Sequence, residues 1–157
     1  MPNDVVEVTI RAVFPTSNGC AIFLGGKDKV FVIYIDPAIG SAIHAAIQGQ
    51  SAERPQTHEL LGSILEGFGA EVVRVVIADF DEGVFYARLI VEATNELQQR
   101  KVLDLDARPS DSLALASAAG APIFVARHVF DGTDDMSDVL ERIVESGNAG
   151  EHPEGLV

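Results

Sequence analysis

The chain has 157 residues, enough for one domain with one sizeable core. Hydrophobic residues make up 47%, too many for a disordered protein, and the formal net charge of −13 argues against a surface that grips many phosphates. No apolar run approaches the roughly 20 residues of a membrane-spanning helix, Met1-Pro2-Asn3-Asp4 lacks the basic and apolar regions of a signal peptide, and the lone Cys20 excludes an internal disulfide, so the expectation is an acidic cytoplasmic protein.

Val6 to Ala12 alternates apolar and polar residues, the pattern of a half-buried strand. Ala21 to Leu24 and Val30 to Ile35 are two more apolar runs, and Gly25-Gly26-Lys27-Asp28 between them predicts a hairpin. The second run is apolar without a break, which predicts a central strand covered on both faces. Asp36 then caps a helix with Pro37 in its first turn, and Ile39, Ile43, Ala46 and Ile47 form its apolar stripe.

Gly49 to Gln56 reads as a loop, and Thr57 as the cap of a second helix whose Leu60, Leu61, Ile64, Leu65 and Phe68 face the core. Val72 to Ile77 and Val84 to Val91 are strands joined by the turn Asp81-Glu82-Gly83. Val102 to Asp106 is a short strand. Pro109 opens a third helix, stopped by Gly120-Ala121-Pro122; Ile123 to Ala126 is a last strand, and Met136 to Glu145 an amphipathic helix. Hairpins lie before and between the helices. The prediction is therefore an α+β fold: a mixed, largely antiparallel sheet with three to four packed helices, one domain over 1–146 and a flexible acidic tail over 147–157.

Three segments concentrate unusual polar residues, of which Asp79-Phe80-Asp81-Glu82 in the second hairpin reads as turn residues. Arg54-Pro55-Gln56-Thr57-His58-Glu59 delivers an arginine from a loop and a histidine from a helix start, and His58 is a candidate general base. Asp104 to Ser112 runs from a strand into a helix. Alternation puts Asp104 and Asp106 on one face, and free N–H groups at the helix start favour an anion. Arg108 adds a bidentate phosphate contact there. Asp106 and Asp111 could hold Mg²⁺ or Mn²⁺. The same residues also read as structure: Asp106, Ser110 and Asp111 as caps and first-turn acids, Arg108 as their ion-pair partner, His58 as an idle first-turn histidine. Neither the P-loop nor the dinucleotide fingerprint is present, which removes those classes of nucleotide binding.

Three blocks then resemble the bifunctional nuclease family: Val32-Ile33-Tyr34-Ile35-Asp36-Pro37; Arg54-Pro55-Gln56-Thr57-His58-Glu59-Leu60-Leu61; and Asp106-Ala107-Arg108-Pro109-Ser110-Asp111-Ser112-Leu113-Ala114-Leu115-Ala116. The order and spacing match from about Val5 to about Phe130. The resemblance implies a compact α+β fold, a homodimer, and hydrolysis of RNA and DNA such as is described for plant members. It carries over Arg54, Thr57, His58, Asp106, Arg108, Ser110 and Asp111.

The expected function is therefore metal-assisted phosphodiester hydrolysis on a weakly held nucleic acid. His58 would activate water, Asp106 and Asp111 would ligate the ion, and Arg54, Thr57, Arg108 and Ser110 would hold phosphate. The alternative is a non-catalytic regulatory module that binds an anion or a protein through the same pocket.

Overall fold

The apolar runs become seven strands: β1 (Val5–Pro15), β2 (Cys20–Gly25), β3 (Val30–Ile35), β4 (Ala70–Asp81), β5 (Val84–Thr94), β6 (Arg100–Ala107) and β7 (Ile123–Ala126). Five helices accompany them: α1 (Pro37–Ile47), α2 (Thr57–Gly67), α3 (Pro109–Ala119), α4 (Arg127–Gly132) and α5 (Ser137–Asn148). This computed structural model describes residues 4–148, so the tail expected from 147 lies, from 149 onward, outside the described residues. The sheet order is β3-β2-β1-β7-β4-β5-β6, antiparallel at every pairing except β4 with β7. The α+β expectation holds. The additional helix is α4, only six residues long and too short to show a helical period in the sequence.

Both hairpins fall where the turn chemistry places them. In the second, Glu82 and Gly83 both have positive φ (48° and 81°), as a two-residue turn of the twist-compatible kind requires. The main core lies between one face of the sheet and helices α1 and α3. It is built from fully buried Ile22, Leu24, Phe31, Ile43, Ile77, Leu113 and Val125. A smaller core on the other face joins Ala12, Ala21, Phe23 and Val30 to Val139, Leu140 and Ile143 of α5. No described helix is long and apolar enough to cross a membrane.

Three expectations are corrected. β3 is an edge strand, not a central one. Its unbroken apolarity arises because Phe31 and Ile33 enter the main core while Val30 and Val32 meet the α5 side, which says nothing about neighbours in the sheet plane. Secondly, α2 buries little: among its stripe residues Leu65 packs on the core, whereas Leu60, Leu61, Ile64 and Phe68 are exposed, Phe68 by 81%. Amphipathic spacing shows that a helix has an apolar face, not that its own chain covers it. Thirdly, Thr57 is the first residue of α2 rather than its cap; Gln56 holds the cap position and makes no side-chain cap bond. Asp36 does cap α1, its carboxylate accepting from the Ala38 N–H at 2.8 Å.

Candidate functional site

β6 ends at Ala107, and the chain turns into α3 through Arg108 in extended conformation and Pro109 at the first helical position. Asp111 therefore stands in the first turn of α3. The loop 48–56 returns from α1 and delivers His58 as the second residue of α2, which packs beside α3. This juxtaposition joins residues more than fifty positions apart. His58 Nε2 lies 3.0 Å from Asp111 Oδ1, and Arg108 Nε donates to Asp111 Oδ2 at 2.8 Å. One carboxylate thus holds a histidine with one oxygen and an arginine with the other.

The electrostatics follow. Burial pushes the Asp111 carboxyl up, but hydrogen bonds and charge from Arg108 and His58 outweigh it and hold the group below the usual carboxylate range. The hydrogen bond to Asp111, with its charge, raises Arg108 in turn, and Asp36 adds a smaller contribution. A carboxylate at Nε2 assigns the ring proton to that nitrogen and leaves Nδ1 as the basic one. His58 is largely buried, with 13% of its side chain exposed, and lines a cavity of about 440 Å³ with Ala42, Ala46, Gln56, Glu59 and Ala114. Arg108 is mostly exposed and opens onto a second cavity with Ser110 and Asp36. Its Nη1 and Nη2 have no protein partner among the described residues, so they are available to an anion.

The other expected residues stand apart. Thr57 and Arg54 are exposed, and Arg54 makes no ion pair among the described residues. Leu103 and Ala107 of β6 pack on the main core, so Asp104 and Asp106 project from the opposite face of the sheet. There Arg88 meets Asp104 at 2.8 Å and Asp106 at 3.9 Å. Asp106 and Asp111 are thus on different faces, and Asp111 already engages His58 with one oxygen and Arg108 with the other. Among the described residues no group of three or more His, Cys, Asp or Glu is placed to hold an ion. Strand alternation put Asp104 beside Asp106 correctly, but which face α3 covers is a tertiary fact.

A family model described as the bifunctional nuclease domain matches residues 23–136. The chain belongs to that family. Two curated relatives are the uncharacterized proteins MT1877 and Rv1829 of Mycobacterium tuberculosis, from strains CDC 1551 / Oshkosh and ATCC 25618 / H37Rv. Each is 35% identical over 102 residues, a match covering 65% of this chain and 57% of the relative. The chain thus spans little more than half the length of the curated relatives it matches. The matched region contains β3, the His58 segment and the Arg108–Asp111 segment, so the whole hydrogen-bonded array lies within the family's domain.

Proposed function

We propose that this bifunctional nuclease domain hydrolyses phosphodiester bonds of RNA or DNA, with the His58–Asp111–Arg108 array as its site. The observation that carries the reading is the array itself: a mostly buried imidazole oriented by a carboxylate whose other oxygen positions an exposed guanidinium. His58 Nδ1 takes the proton of the attacking hydroxyl or water as the new P–O bond forms; the scissile P–O bond breaks, and the leaving oxygen takes a proton from solvent or from the imidazolium. Asp111 fixes the tautomer and stabilises the imidazolium. Arg108 neutralises charge on the phosphate oxygens, and Ser110 at the start of α3 offers them a hydroxyl hydrogen bond. Thr57, next to His58 in the first turn of α2, and the exposed Arg54 of the preceding loop serve as outer phosphate contacts. The buried, unpaired Cys20 fits a reducing cytoplasm, where we place the reaction.

The direct test is cleavage of single-stranded RNA and DNA by purified protein beside Asp111→Asn. Loss of cleavage in the variant supports the reading, and equal cleavage by both proteins overturns it. The part of Mg²⁺ or Mn²⁺ is tested at Asp106, which projects from the other sheet face. Asp106→Asn is expected to retain the parent's cleavage within about twofold, with or without Mn²⁺. A variant that loses Mn²⁺-stimulated cleavage would restore Asp106 as a ligand.

The second reading, a regulatory binding module, draws on the exposed Leu60, Leu61 and Ile64 of α2 and Phe68 at its end, an apolar face open to solvent. We assign that face to the expected homodimer contact. Phe68→Asp is expected to halve the mass measured by sedimentation equilibrium without lowering the helix content. An unchanged mass removes α2 from the dimer contact and favours another protein as its occupant.

A further inference from the structure

The outer edge of β3 opens into a groove that meets the hydrolytic array at Arg108 and runs beyond it. In an antiparallel ladder, alternate residues turn both their N–H and C=O toward the same side. Val30 sets the phase. Its carbonyl accepts from the Met136 N–H at 2.6 Å, and its N–H donates to Asp135 Oδ1 at 3.3 Å, both away from β2. Val32 and Tyr34 therefore turn their backbone groups outward too, and among the described residues no strand pairs with that edge.

Two cavities follow this edge. One, of about 880 Å³, contains Arg108 and Ser110; the other, of about 670 Å³, is walled by Phe31, Phe80 and Met136. Val32, Tyr34, Gly83 and Phe85 line both, so they form one continuous groove. Its aromatic end is a cluster. The Phe80 and Phe85 rings lie 4.4 Å apart between centroids, and Phe85 lies 6.1 Å from Phe31. Tyr34 is 70% exposed and Phe80 48%, so their faces are open to a ligand. Exposed π-faces, free backbone donors and acceptors, and a guanidinium at one end together match the three parts of a nucleotide.

We propose that this groove seats an unpaired nucleotide next to the scissile phosphate. Its base stacks on Tyr34 and Phe80, and its edge meets the outward N–H and C=O groups of Val32 and Tyr34. The proposal rests on the nuclease reading for the phosphate end at Arg108. A base in a duplex has its edge paired and its faces stacked, so the substrate class is single-stranded RNA or DNA. Among the described lining residues Arg108 is the one arginine or lysine, while Asp36 and Asp134 oppose further phosphates. The footprint is therefore short and the salt dependence shallow. One phosphate contact on a single strand implies a weakening of only about threefold for a fourfold rise in salt.

The test is fluorescence anisotropy with a labelled, cleavage-resistant 2′-O-methyl hexanucleotide, single-stranded and as a duplex. It compares the full chain with Tyr34→Ala, Tyr34→Phe and Phe80→Ala. The exposed positions of Tyr34 and Phe80 leave the core intact, which an unchanged Tm verifies. Each alanine is expected to weaken single-strand binding about tenfold. Tyr34→Phe should bind as the parent does, and the duplex should bind at least about tenfold more weakly. Equal binding by every variant, duplex binding as tight as single-strand binding, or no hexanucleotide binding by the parent overturns the groove. Parallel cleavage assays separate the two readings. A parent that cleaves while the alanine variants bind normally loses the groove and keeps the nuclease. A parent that cleaves nothing, yet binds single strands through Tyr34 and Phe80, keeps the groove and loses the nuclease.

Discussion

His58→Gln is expected to lower cleavage of single-stranded RNA by about 10²- to 10⁴-fold, the range that a positioned general base contributes. Glutamine can still donate an amide N–H toward Asp111, but it offers no basic nitrogen near neutral pH. The hydrogen bond that ties the start of α2 to the start of α3 can therefore survive while the proton acceptor is lost. Asp111→Asn acts one step away: an amide cannot accept from both His58 and Arg108 as the carboxylate does, so the imidazole loses its assigned tautomer and the guanidinium its anchor. Because the three groups work as one array, the double variant is expected to cleave no more slowly than the slower single variant. Losses that multiply would assign the two residues to separate steps. If both single variants cleave at the parent's rate, the array serves only to join two helices.

Much of this architecture is written in short-range pattern. The hairpin between β4 and β5 follows from Asp81-Glu82-Gly83, and the α1 start from Asp36-Pro37, because turn type and capping depend on a few adjacent residues. The partnership of Asp111 with Arg108 is equally local, three residues apart on one helical turn. His58 joins them from 53 positions away, and only its helix-start position beside a second motif hinted at that. What sequence could not supply was neighbourhood across the fold. An unbroken apolar run is the same whether β3 lies in the middle of a sheet or at its edge, since apolarity reports faces and not edges. Tyr34 escaped notice as a groove residue for that reason: a tyrosine inside an apolar strand reads as core until the edge is known. The α2 stripe failed similarly, its leucines being correct for a buried helix and exposed in this one.

Gly40→Ala is expected to destabilise the protein by about 1–3 kcal/mol, and to do so against the grain of helix propensity. In the first turn of α1, alanine in place of glycine would by itself help by up to about 1 kcal/mol. The opposing effect is contact. A Cβ built on Gly40 would meet Cys20 Sγ at 2.5 Å and Cys20 Cβ at 2.7 Å, and the second of these is fixed to the β2 backbone and cannot swing away. Helix α1 must then lift from the sheet, disturbing Ile43, which is fully buried. Cys20 is therefore valued for its size. Burial pushes its thiol up, toward the neutral form, which suits packing and not nucleophilic work. Urea denaturation across the cycle of Gly40→Ala, Cys20→Ala and their combination checks this. Cys20→Ala removes Sγ but leaves Cβ, so rescue should be partial, with a coupling of about 1 kcal/mol; strictly additive effects would show that the two residues do not press on each other. The lift reaches the site as well. Ala42, Ala45 and Ala46 of α1 line the cavity beside His58, so cleavage should fall with stability in Gly40→Ala and recover with it in the double variant.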